Sequence, residues 1–307
     1  MPEDTPYQRP PLNLQTLGFI LRETMREWND DKVPRLGAAL AFYSMLSVGP
    51  LLLIVISVAS AAFQHDQVAN YMFDEIRRLV GQPGADAIRN ILANSHNQKT
   101  SYIATAIGVV TLVVSATGFF AQLQDALNAI WNVDGDIHSD ITSFIRKRIL
   151  SFAMILGIGF LLLVGLVISA ALAAISALLA GIMPEVLLHL LNLIVSFSVI
   201  TVLFAMIFKI LPDVDIKWRD VWIGAAITAL LFTFGKQLIG LYLGRSAFSS
   251  TYGAAGSLIV VLVWIYYSAQ IFFIGAEFTQ VYTRYMGRQI VLKRGRRKKV
   301  VNTAKEN

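Results

Sequence analysis

Residues Ser249–Tyr285 read SSTYGAAGSLIVVLVWIYYSAQIFFIGAEFTQVYTRY, and this stretch decides the class of the fold. From Ala254 to Ala276 no residue is charged, a run of 23 positions. A helix rises ~1.5 Å per residue, so ~20 apolar residues cross the ~30 Å hydrocarbon core of a bilayer. Tyr252 precedes the run and Tyr282 and Tyr285 follow it, where amphipathic rings favour the membrane interface. Glu277 stands at its end. A carboxylate at that depth is either a solvated helix end or a buried partner for a cation.

Outward from this run the chain keeps the same character. Of its 307 residues 55% are hydrophobic and 15% charged, against ~25% charged in a soluble domain. So many apolar side chains exceed what one soluble core can bury, which predicts an all-α polytopic membrane protein. Six transmembrane helices are expected, at about 36–63, 102–131, 149–180, 186–211, 220–244 and 254–281. The charge-free run Ile149–Pro184 would be ~54 Å long as a helix. It is read as one long tilted span. Cysteine is absent, which excludes disulfides, thiolate metal sites and cysteine nucleophiles. The first 35 residues lack an apolar core flanked by a cleavage site, so the first span is expected to act as the insertion signal.

The polar segments are placed around these spans. Residues 1–35 form a cytoplasmic tail and an amphipathic helix, with Leu14, Leu17, Leu21, Met25 and Trp28 on one face. That face either lies on the membrane surface or packs against the underside of the bundle. Residues 64–100 carry two apolar stripes separated by Gly81-Gln82-Pro83-Gly84, which predicts an extracytoplasmic helical hairpin. Residues 286–307 form a basic tail whose Lys293–Lys299 run suits anionic lipid headgroups. No aromatic residues accompany the run, so a nucleic-acid platform is not expected. Counting Lys and Arg over the polar segments puts 19 on the side of the termini and 5 on the other. By the positive-inside rule both termini are cytoplasmic.

Several residues stand out for function. Pro50 falls within the first span. It cannot donate a backbone hydrogen bond and is expected to kink the helix, freeing the Leu46 carbonyl. Ser44 and Ser47 are the nearby donors. Lys236 lies inside the fifth span, where a charge costs ~2.5–3.5 kcal/mol. It either snorkels to the interface or faces a polar cavity and binds an anionic group. Asp125, Lys209 and Glu277 come to similar depths in three spans, so an intramembrane charge layer with Lys209 between two carboxylates is expected. Gly240 and Gly244 form a GxxxG pair. Asp134, Asp136, His138 and Asp140 form an acidic turn without the glutamate that closes a calcium loop. No metal site, no GxxxxGK[ST] nucleotide loop and no cofactor are expected.

Six segments also carry a family resemblance. AALAFYSMLSVGPLLL (38–53), FFAQLQDALNAIW (119–131), LPDVDIKWRDVWIGA (211–225), GKQLIGLYLG (235–244), YGAAGSL (252–258) and WIYYSAQIFFIGAEFT (264–279) resemble the YihY/BrkB family of bacterial inner-membrane proteins. The likeness runs over about residues 20–285. It implies a multi-pass protein of the bacterial inner membrane, and Lys236 falls within one of its motifs. Members were once labelled ribonuclease BN. The function expected is transport or lipid handling of a substrate with an anionic group, bound by Lys236 with Ser44, Ser47 and Tyr252. Membrane lipids are then the partners. Two alternatives remain. One is a non-catalytic scaffold for envelope assembly, with a protein partner on the 64–100 hairpin. The other is the old ribonuclease label, for which the 134–140 turn is the only candidate.

Overall fold

The computed structural model describes residues 13–60, 118–133, 185–245, 254–288 and 291–292, with single positions between 73 and 89. For 48–60 and a few helix-end residues it describes the backbone alone. Apart from those single positions, the expected hairpin lies outside this set. So do the 149–180 span, the 134–140 turn, Tyr252 and the basic run 293–299.

Five helices organise the described residues: α1 (Leu14–Asp30), α2 (Val33–Ser60), α3 (Glu185–Ile210), α4 (Trp218–Arg245) and α5 (Ala254–Tyr285). Residues 118–130 are also helical. Three helices are long and apolar enough to cross a membrane among the described residues, over Leu193–Ile210, Trp218–Tyr242 and Leu258–Tyr285. They coincide with the last three expected spans. Their outer faces carry exposed apolar side chains, among them Leu193, Ile194, Phe234, Leu238 and Leu241. In a bilayer these contact lipid, which has no hydrogen bonds to offer and demands a self-satisfied helical backbone.

The turn from α1 to α2 takes two residues. Asp31 N–H donates to the Glu27 carbonyl at 2.8 Å and Lys32 N–H to that of Asn29 at 3.1 Å. Lys32 then adopts a left-handed conformation, φ 53°, which ends the first helix and redirects the chain. Pro50 lies inside α2, which is assigned as one helix from Val33 to Ser60.

The chain divides into two compact units, and α4 and α5 contribute to both. One contains α1, residues 124–133, α3, β1 (Val214–Asp215), α4 as far as Leu231, and the chain from Phe272 through β2 (Val291–Leu292). Here an aromatic cluster ties α3 to α5, with ring centroids 5.1 Å apart for Phe208–Phe272 and 5.8 Å for Phe204–Phe272. β1 and β2 pair antiparallel, Val214 opposite Leu292 and Asp215 opposite Val291. Among the described residues this short ladder is the one departure from an all-helical expectation. It fastens the chain after α5 to the loop between α3 and α4.

The same unit shows how α4 and α5 approach each other. A Cβ added at Gly224 would strike Thr279, and one added at Gly275 would strike Thr228. The contact is reciprocal: a Gly-xxx-Thr pair on each helix, each threonine seated on the other helix's glycine. Thr228 Oγ1 donates to the Gly224 carbonyl and Thr279 Oγ1 to the Gly275 carbonyl, both at 2.7 Å. The hydroxyls are therefore satisfied within their own helices, and packing holds the pair together, as small residues allow in lipid. The GxxxG pair of Gly240 and Gly244 offers no such contact at Gly240. A Cβ on Gly240 would find nothing within 4 Å. A small residue favours association only on the face that a neighbour covers, and Gly240 does not face one.

The second unit contains α2, residues 118–123, α4 from Phe232 and α5 up to Ile271. Ile239 of α4 and Val260 of α5 form its buried centre, with Trp264 and Tyr267 packed on them. Gly235 is closed over by Ile271 and Tyr267. In α2, Gly37 lies against Gln270.

Candidate functional site

The first unit gathers most of the buried charge, at the junction of α1 and the last turns of α5. α1 turns two different faces outward and inward. Ile20, Thr24 and Glu27 are buried, and Ile20 packs on Phe278, Val281 and Tyr282 of α5. Phe19 lies 5.9 Å from the Tyr285 ring, and the Thr16 and Tyr285 hydroxyls are 3.3 Å apart. The more apolar stripe of Leu14, Leu17, Leu21 and Met25 is exposed. The stripe and the buried face are separate, so the helix packs on the bundle and still presents an apolar edge.

A charged clamp holds this helix. Arg284 of α5 donates through Nη2 to Glu27 Oε1 at 2.7 Å and approaches Glu23 Oε1 at 3.3 Å. Glu23 is also paired with Arg26 at 2.9 Å. The two carboxylates are mostly buried, with side chains 10% and 16% exposed. Two turns before Arg284, Glu277 is completely buried. Neither of its carboxyl oxygens meets an N–H or hydroxyl donor among the described residues. The charged side chains that act on it are Asp31 of the α1–α2 turn, Glu27 and Arg284.

A further ion pair and a reciprocal hydrogen-bonded pair sit in the same unit. Asp220, fully buried in the first turn of α4, pairs with Arg288 just beyond α5. An acidic residue there also complements the helix dipole. Asn128 and Asp213 bond reciprocally: Asn128 Nδ2 donates to Asp213 Oδ2 at 2.9 Å, and Asp213 N–H to Asn128 Oδ1 at 2.9 Å.

Of the three residues expected to form a charge layer, Lys209 is paired with the loop after its own helix. Lys209 Nζ donates to Asp215 Oδ1 at 2.6 Å and to the Ile216 carbonyl at 2.5 Å, folding back on the loop after its own helix. That loop supplies an anion only six residues away, which costs less chain entropy than reaching a third span. Asp125 is exposed, and Glu277 is buried with no donor to either oxygen among the described residues. Ser44 and Ser47 are both buried, yet they do not serve the Leu46 carbonyl. Ser44 Oγ donates to Leu40 O at 2.7 Å and Ser47 Oγ to Ser44 O at 2.9 Å, the usual bond of a helical serine to the preceding turn. Lys236 is half-buried in the second unit, beside the closely packed Gly235. Among the described residues it has no ion-pair partner. No group of three His, Cys, Asp or Glu able to hold a metal occurs among the described residues.

The clamp went unread in the sequence because the apolar stripe of α1 dominates its periodicity. Ile20, Thr24, Glu27 and Asp31 follow the same spacing of three and four, and a search for a polar helical face would have found them. The Gly-xxx-Thr pairs were legible as a small-xxx-small pattern.

A family model described as Virulence factor BrkB matches residues 24–299. Similar curated proteins include a UPF0761 membrane protein of Idiomarina loihiensis, 31% identical over 89% of this chain and 94% of its own length. One of Tolumonas auensis is 29% identical over 83% of this chain and 82% of its own. One of Ralstonia nicotianae is 27% identical over 86% of this chain, which spans only 58% of that relative. No solved structure matches.

Proposed function

For a chain that belongs to the BrkB family of membrane proteins, we propose a role in transport or lipid handling, acting on a substrate with an anionic group. In this reading the protein crosses the bacterial inner membrane six times with both termini in the cytoplasm, as the 19 to 5 bias of Lys and Arg indicates. The carrying observation is Lys236. It sits half-buried within an apolar helix and has no carboxylate partner among the described residues. An ammonium held in that setting gains from an anion brought to it, and ionisable residues within spans mark substrate and ion pathways. The reading contains no bond-making step, so the protein is not an enzyme in it. The basic tail 293–299 adds an electrostatic preference for anionic lipid.

The test is native mass spectrometry of the purified full chain beside Lys236→Ala. The expected result is an anionic lipid or metabolite retained by the wild type and lost from the variant. Equal retention by both proteins refutes Lys236 as its binding group.

A further inference from the structure

The start of α4 carries an exposed patch that packing within the first unit does not use. Of the chain's five tryptophans, Trp218 and Trp222 are the exposed ones. They stand one turn apart, so both lie on one side of the helix, with ring centroids 6.5 Å apart. They begin the segment Trp218–Tyr242, which is long and apolar enough to cross a membrane. Indole rings left open at the end of a span belong where hydrocarbon gives way to headgroups. Leu230, further along the helix, is exposed as well, so the apolar surface runs on toward the hydrocarbon.

The charge around the two rings is one-sided. Lys217 and Arg219 flank Trp218 in the chain, and both are exposed without an ion-pair partner among the described residues. Arg219 comes three positions before Trp222 and so shares its face. The acidic residues of the same segment are engaged elsewhere. Asp215 takes Lys209 at 2.6 Å, Asp213 is bonded to Asn128, and Asp220 is buried against Arg288. Lys209 Nζ also lies 5.9 Å from the centroid of the Trp218 ring, a cation–π contact that holds this indole in place. The patch thus presents two rings and two uncommitted cations, and the described residues supply no anion for them.

A ligand that satisfies both halves must carry negative charge beside an apolar body. A soluble phosphate has only the charge, and a zwitterionic lipid has no net charge to offer. A phospholipid with a net negative headgroup has both, and basic side chains near a membrane surface attract such headgroups.

We propose that Lys217, Arg219, Trp218 and Trp222 form a headgroup site for an anionic phospholipid. The two cations take the headgroup, and the indoles line the first part of the acyl chains. The site goes beyond the Lys236 reading and shares no residue with it.

Tryptophan fluorescence of the full chain in vesicles reads the site. Brominated phosphatidylglycerol, at a low fraction in phosphatidylcholine, should quench the wild type more strongly than brominated phosphatidylcholine at the same fraction. Lys217→Gln combined with Arg219→Gln should lose that preference, by roughly fivefold for each cation removed. Trp218→Phe combined with Trp222→Phe should lose the emission that is quenched. All four side chains are exposed, so both variants should fold. Lys236→Ala should keep the preference, so failure of the mass-spectrometry experiment leaves this one standing. Equal quenching of the wild type by the two brominated lipids would overturn the proposal. So would a preference that survives the loss of both cations, because other basic groups would then supply it. Quenching of the Trp218–Trp222 emission by aqueous iodide and by neither lipid would also overturn it, since the patch would then face water.

Discussion

Replacing Gly275 with alanine tests how α4 and α5 are held. The new methyl would lie on Thr228, against Oγ1 and within 2.8 Å of Cβ and 2.9 Å of Cγ2. Carbon atoms rest at ~3.5–4.0 Å, so the helices must part by about the difference, close to 1 Å. Rotating Thr228 does not help, because its Cβ is fixed to the backbone and is one of the atoms struck. Overpacking of this kind costs ~1–3 kcal/mol. A contact that no rotamer relieves belongs at the upper end. Thr228→Gly alone also destabilises, by roughly 0.3 kcal/mol from helix propensity with the lost contact added. Together the two changes only move the side chain from one helix to the other. The double variant should therefore be less destabilised than the sum by at least ~1 kcal/mol. The assay is unfolding of the full chain by dodecyl sulfate titrated into mild detergent, followed by helical circular dichroism. Strict additivity would refute the reciprocal packing. So would a Gly275→Ala variant as stable as the wild type. A Gly240→Ala change is the internal control, because its methyl meets open space and should cost nothing measurable.

Two other predictions concern α1. Arg284→Ala strands two mostly buried carboxylates, Glu27 and Glu23. Breaking a buried pair costs ~3–5 kcal/mol, and the partial exposure of Arg284, 26%, places this one at the lower end. Amide hydrogen exchange across Leu14–Asp30 should rise by more than tenfold, while exchange in α3 stays unchanged; uniform exchange would refute the clamp. The exposed stripe of α1 is expected to lie against the bilayer. The chain has no cysteine, so single nitroxide labels at Leu21→Cys and Arg22→Cys report local depth. The label at 21 should be reached by oxygen in preference to a polar nickel complex, and the label at 22 the reverse. Aqueous accessibility at both positions would place the stripe away from lipid.

The chain's apolar runs determined its class. Whether a segment can span a bilayer depends on its own length and polarity, because the hydrocarbon acts on each helix separately. The extent of α5 over Ala254–Tyr285 and that of α3 over Glu185–Ile210 were accordingly readable from the charge-free stretches around them. The interfacial or docked character of α1 was readable as a pair of alternatives; the buried face packs on α5 and leaves the apolar stripe exposed. Which polar groups meet was decided only in three dimensions. Equal depth suggested that Lys209 would face Glu277, but depth is one coordinate, and rotation about each helix axis fixes the others. Asp215 was nearer along the chain, and Arg284 met Glu27 and Glu23 of α1 across more than two hundred residues. The same holds for glycine. Gly240 and Gly275 are equivalent as letters in a helix, yet only Gly275 faces another helix, and side-chain packing is a property of the face and not of the residue.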